Sequence, residues 1–203
     1  MKVKEQRNIE SNELTGYLLN GIFVPRDRGN RHYQEIQKWI KKGNQPEPAF
    51  TEEERLNYFK NKLINNIQNI ADTKSKEAKN YIAGKKVTPE QINRYELKYQ
   101  TALKCKETED YTPLQLEADL QRITPEELAE LIIQKHDKWI AELQKYTALI
   151  EAYRVKAQTI VENLETLENI EKAKELLEKA KGFGLGTTEE QIKALFKEFE
   201  GDI

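Results

Sequence analysis

Two short apolar runs, Tyr17-Leu18-Leu19 and Ile22-Phe23-Val24, flank Asn20-Gly21 near the start of the chain. Asn and Gly both tolerate the positive φ of a type I′ turn, so this pattern predicts a β-hairpin, with Pro25 ending its second strand or holding it at an edge. From Asn30 the spacing turns helical. Tyr33, Ile36 and Trp39 or Ile40 recur at steps of three and four, Asn30 is placed to cap the start, Gly43 supplies a C′ position, and Pro46 prevents continuation. Residues 1–15 carry no periodicity and read as a loose arm or a short edge strand. The stretch Asn44-Gln45-Pro46-Glu47-Pro48 reads as an extended, stiff connector, because each proline also restricts the residue before it.

Beyond the prolines one start signal repeats. Thr51 with Glu54, Thr88 with Gln91, Thr124 with Glu127 and Thr187 with Glu190 match the capping box, and Pro89 and Pro125 occupy the favoured first helical position. Thr112-Pro113 adds a start without the matching acid. These signals predict helices over 52–82, 89–107, 113–121, 125–181 and 188–200. In the fourth, Ile132, His136, Trp139, Leu143, Tyr146, Ile150, Tyr153, Ala157, Ile160, Leu164 and Leu167 follow alternating steps of three and four, the seam of a coiled coil. After Leu167 the seam shifts to Ile170, Lys174 and Leu177, which predicts a kink or a change of partner. Leu56, Phe59, Leu63, Ile67 and Ile70 give the second helix a shorter stripe, and Ile92, Tyr95, Tyr99 and Leu103 do so for the third. The fold class is therefore mainly α: a small N-terminal hairpin-plus-helix head with a Pro-rich linker (1–50), a long helical hairpin or coiled-coil bundle (51–181), and a glycine hinge with a terminal helix (182–203).

Composition fits long helices that each bury one stripe. Hydrophobic residues make up 37% and charged residues 33% of the 203-residue chain, against about 45–50% apolar in ordinary globular chains. The net charge of −2 conceals a division: residues 1–106 carry 21 Lys and Arg against 13 Asp and Glu, and residues 107–203 carry 12 against 22. The basic residues are interleaved with acids and no basic block with interleaved aromatics occurs, so mutual attraction of the halves, or of two copies, is the expected use of this asymmetry rather than nucleic-acid binding. A single cysteine excludes an internal disulfide framework, and with two histidines it leaves little for a transition-metal site. No apolar run approaches the roughly 20 residues of a membrane span, and the first residues lead into polar sequence rather than a signal-peptide core. A cytosolic chain without a membrane anchor is expected.

Candidate chemistry adds little. His136 lies on the seam without a second ligand-type residue at metal spacing, and His32 stands in the first turn of the head helix; both read as structural. Gly182-Phe183-Gly184-Leu185-Gly186-Thr187-Thr188 follows a helix and lacks the Walker lysine, so it reads as a hinge before a helix whose Ile192, Leu195, Phe196 and Phe199 form a docking stripe. Cys105, between Lys104 and Lys106, lacks a neighbouring histidine and reads as an ordinary thiol. Acid pairs such as Glu126-Glu127 and Glu189-Glu190 sit in first helical turns, where they complement the helix dipole. No catalytic, cofactor-binding or metal-binding set is expected. The head, with Phe23, Val24, Tyr33, Ile36 and Trp39, has too little surface to be stable by size alone and is expected to lean on something else.

One stretch carries a resemblance. An apolar strand ending in proline, then Asp27, Gly29-Asn30, Tyr33, Trp39, Gly43-Asn44 and Pro46, resembles a segment common in small tail-associated proteins of tailed bacteriophages and prophages, of the tail fibre or tail assembly type. Tyr95-x-x-Lys98-x-x-Thr101-Ala102 is similar to a Tyr-x-x-Lys-x-x-Glu-Ala pattern of such proteins, with Thr101 in place of the acid, and Ile150-Glu151-x-x-Arg154-x-x-Ala157 is similar to another. The resemblance covers residues 16–50 well and 80–160 loosely. It implies a non-enzymatic structural or fibre-attachment protein that docks other tail or tail-fibre proteins, with Phe23, Asp27, Asn30, Tyr33, Trp39, Asn44 and Pro46 as the docking head and the helices as spacer or homo-oligomerising stalk. It places the protein in the host bacterial cytoplasm during assembly and leaves open whether it then stays in the virion tail or departs. A dissociable tail-fibre assembly chaperone and an unrelated helical adaptor are the alternatives.

Overall fold

The strand β1 (Val3–Arg7) pairs antiparallel with β2 (Leu14–Leu19), which pairs antiparallel with β3 (Ile22–Pro25), in a computed structural model that describes residues 1–82 and 85–182 and positions 190, 191, 193, 194 and 197. Asn20 at φ 49° and Gly21 at φ 90° form the tight turn between β2 and β3, with the two positive φ values of a type I′ hairpin. The first residues are thus a true edge strand rather than a loose arm. The outer side of β1 is covered, because Glu47 of the proline segment donates its N–H to the Val3 carbonyl and accepts from the Glu5 N–H, both at 2.8 Å. This pairing blunts an edge that would otherwise be open to another strand.

Helix α1 (Arg31–Lys41) starts where Asn30 accepts a hydrogen bond from the Tyr33 N–H, and Gly43 follows its end at φ 87°. It lays Ile36, which is fully buried, against Val3, Tyr17 and Val24 of the sheet, with Leu14, Leu19, Tyr33, Trp39 and Ile40 around them. Gly16 is required at its place in β2. A Cβ there would lie 2.5 Å from the Val24 carbonyl oxygen and 2.7 Å from the Phe23 ring.

The chain divides into two compact units, residues 1–63 with 164–171, and residues 64–163 with 172–203. The first unit adds to the head the opening turns of α2 (Glu52–Lys79), where Thr51 and Glu54 exchange capping hydrogen bonds. Arg55 donates to the Ile9 and Glu10 carbonyls at 3.0 and 2.9 Å, and Tyr58 and Lys62 both donate to the Glu10 carboxylate. Phe59, Leu63, Leu164 and Ile170 of this unit are buried.

The second unit contains the rest of α2, a two-strand hairpin of β4 (Tyr81–Ile82) and β5 (Lys85–Lys86), α3 (Pro89–Thr108), a 3-10 turn at Thr112–Leu114, α4 (Gln115–Gln121), and α5 (Pro125–Glu162). Capping boxes at Thr88 and Thr124 open α3 and α5. Both α3 and α4 pack on α5 through Ala102, Cys105, Ala118, Leu128 and Ala129, with Leu114 beside them. Small side chains at this contact let the helix backbones approach closely. Further along α5, Tyr146 and Ile150 pack with Ala71 and Ala78 of α2.

Two helix ends differ from the sequence expectation. The helix expected over 52–82 stops at Lys79, because Asn80 closes the small hairpin by accepting from the Val87 N–H at 2.8 Å. The helix expected over 125–181 is interrupted after Glu162 and resumes as α6 (Leu167–Lys181). At the gap the Thr166 hydroxyl accepts from the Asn169 N–H, the kind of side-chain bond that offers the backbone an alternative to continuing a helix. Leu164 therefore leaves the α5 seam and Leu167 opens a new helix. The glycine run 183–189, the stripe Ile192, Leu195, Phe196 and Phe199, and the Thr187 cap lie outside the described residues.

Along α5, Trp139, Tyr146, Ile150, Tyr153, Ala157 and Val161 are buried, while Ile132, His136, Leu143 and Ile160 are half-buried. Burial pushes the Tyr146 and Tyr153 phenols up from their ordinary value. A phenol raised in the folded state contributes stability below its unfolded pKa and loses it as pH rises. The second unit should accordingly weaken above about pH 10, and Tyr153→Phe should flatten that fall in urea melts taken between pH 8 and pH 11. An unchanged alkaline slope in Tyr153→Phe would refute this.

Candidate functional site

Within the first unit, the residues of the expected docking head come together on one sheet and helix, and most have local work. Asp27 accepts from the Gly29 N–H at 2.8 Å, Asn30 caps α1, and the Asn44 side chain donates to the Trp39 carbonyl at 2.9 Å. Tyr33 and Trp39 pack against the sheet core, with the Tyr33 and Tyr17 rings 6.2 Å apart. Pro46 is half-buried next to the Glu47 bridge. Phe23 is different. With its neighbour Ile22 it stands exposed just past the hairpin turn, at 53% and 72% respectively. Exposed Ile22 is the residue of this surface that the sequence reading did not single out; its position directly after Asn-Gly is the signal that would have found it.

The second unit holds a cleft of about 1010 Å³ between α3, α4, α5 and the β4–β5 hairpin. From α5 it is lined by Leu128, Leu131, Ile132, Lys135, His136, Lys138, Trp139 and Glu142, a run of about 21 Å at the helical rise. The hairpin and its exit add Ile82, Lys85, Lys86 and Val87, α3 adds Gln91, Tyr95 and Lys98, and α4 adds Glu117 and Gln121. Two of the lining residues, His136 and Trp139, belong to an aromatic cluster with Tyr99. The His136 ring stacks on Tyr99 at 3.5 Å and 8°, meets Trp139 edge-on at 5.6 Å, and places Nε2 3.4 Å from a Glu96 carboxylate oxygen. Trp139 donates its indole N–H to the Tyr81 carbonyl at 2.8 Å, which pins the hairpin to α5.

Charge along the cleft is uneven. Lys98 is paired with Glu117, whereas Lys85, Lys86, Lys135 and Lys138 are exposed and take no acidic partner among the described residues. Glu142 is the remaining acid of the lining. The seam residues His136 and Trp139 thus face a cleft on one side, which the linear pattern did not reveal because one side of it comes from a hairpin whose first strand, Tyr81–Ile82, was expected to end a helix. Asn80 and Gly84 bracketing Tyr81-Ile82 were the available turn signals. Among the described residues, no three His, Cys, Asp or Glu side chains converge to hold a metal ion, and no helix is long and apolar enough to cross a membrane. No family model matches the chain, and no curated protein or solved structure matches it.

Proposed function

We propose that this is a non-enzymatic docking protein of a phage tail, in which the hairpin tip of the head engages another tail or tail-fibre protein. The observation that carries the reading is the head itself. Tyr33 and Trp39 of the tail-protein resemblance pack around Ile36 in one sheet-and-helix body, and the hairpin of that body leaves Ile22 and Phe23 exposed to solvent. Ile22 and Phe23 face opposite sides of β3, and exposed apolar side chains on a hydrogen-bonded strand suit a protein contact because little backbone freedom is lost on binding. In this reading the α5 seam serves as a spacer and coiled-coil stalk, closed within the chain or between copies.

The double substitution Ile22→Ser/Phe23→Ser should leave the circular dichroism unchanged and lower the melting temperature only slightly, through the lost contact of the Phe23 ring with Gly16, while weakening capture of the tail or tail-fibre partner by about thirtyfold, the loss expected of hot-spot residues. Co-purification from host cells producing phage, followed by analysis of finished particles, provides the readout. Presence in particles supports a structural component, and binding to newly made fibre with absence from particles supports the dissociable chaperone. A wild-type protein that enters no particle and captures no tail protein would overturn both.

A further inference from the structure

We propose that the cleft of the second unit is a second docking site, which takes an acidic amphipathic helix from a partner protein. Its form and its charge point the same way. The α5 side of the cleft runs for about 21 Å, some four helical turns, and its apolar lining includes Leu131, Ile132 and Trp139 from α5 and Ile82 and Val87 from the hairpin and its exit. That length and apolar lining suit the apolar stripe of a helix, which places anchors at steps of three, four and seven.

The rim selects the partner. Lys85, Lys86, Lys135 and Lys138 stand exposed without acidic partners among the described residues, against one unpaired acid of the lining, Glu142. Lysines on long stems at a rim attract and orient a band of carboxylates without fixing a single anion. A small phosphorylated metabolite would instead call for a few buried polar groups converging on one point; here the charged groups lie spread along the rim and the interior is largely apolar. This site shares no residue with the hairpin tip, so its failure and the failure of the head reading are separable.

The probe is a fluorescein-labelled 18-residue helical peptide with leucines in one stripe and glutamates on its other faces, titrated with the full-length protein and followed by anisotropy. Saturable binding is expected, weaker at high salt, and weakened about tenfold or more by the quadruple change Lys85→Glu/Lys86→Glu/Lys135→Glu/Lys138→Glu. Leu131→Asp should weaken it similarly, and Ile22→Ser/Phe23→Ser should leave it unchanged. Lysine acetylation followed by mass spectrometry should show Lys85, Lys86, Lys135 and Lys138 protected by the peptide. Equal affinity for a scrambled peptide of the same composition would overturn the proposal, as would displacement by ATP or tighter binding of a single-stranded RNA of similar length. Absence of binding to the folded wild-type protein would also overturn it.

Discussion

Trp139→Ala should destabilise the second unit by about 3–5 kcal/mol, the cost of removing a large buried aromatic side chain. The residue is only 8% exposed, its ring meets His136 edge-on, and its indole N–H is the bond that holds the Tyr81 carbonyl. Truncation therefore opens a void and orphans an acceptor together. Trp139→Phe separates the two effects. It keeps most of the apolar volume but cannot donate, and should cost about 1–3 kcal/mol for the unpaired carbonyl and the residual gap. Urea denaturation reports the total, and hydrogen exchange of the β4–β5 amides reports the hairpin. If Trp139→Phe leaves exchange of the Tyr81, Ile82, Lys85, Lys86 and Val87 amides at the wild-type rate, the indole bond does not pin the hairpin.

Ile36→Ala should cost the head about 2–5 kcal/mol. Ile36 has no exposed surface and is the point where α1 meets Val3, Tyr17 and Val24. So small a core offers few other contacts to absorb the loss, and the β1–β3 amides should exchange many times faster in the variant. Ile36→Val, which removes one methylene, should cost about 0.5–1.5 kcal/mol. The proposed partner contact should weaken with Ile36→Ala because the tip carrying Ile22 and Phe23 loses its support. A head that retains wild-type exchange protection in Ile36→Ala would mean that the sheet is held from elsewhere.

The features that proved legible were those whose signal lies within a few residues. The Asn20-Gly21 turn, the Asn30 cap and the capping boxes at Thr51, Thr88 and Thr124 each depend on local stereochemistry, and each is present. The mainly helical character and the small N-terminal sheet follow from them. Pairings between distant segments were not legible. Nothing near Glu47 announces that its backbone completes the edge of β1, and nothing near Lys85 or Lys135 announces that the two meet across a cleft. The break at residues 163–166 was expected a few residues late, as a kink or change of partner after Leu167, because the apolar steps run through it with unchanged period and Leu164 and Leu167 look like seam although the hydrogen bond to Thr166 marks a new start. In the head, helical and turn spacing identified which residues matter, but exposure alone distinguishes Phe23 from Asp27, Asn30 and Asn44, whose side chains are occupied by their own backbone.

The first unit is discontinuous in sequence, built from residues 1–63 and again from 164–171. A ribosome therefore releases the amino-terminal body in an unfinished state and completes it only after the whole of residues 64–163 has been translated. At ordinary synthesis rates this is a delay on the order of ten seconds. During that interval Leu164 and Ile170, both buried in the finished chain, are not yet made, so nascent chains stalled before residue 164 should be cut within residues 1–63 by proteases that spare the full-length protein. The same discontinuity means that a fragment ending at residue 63 is an unfinished body rather than a minimal domain.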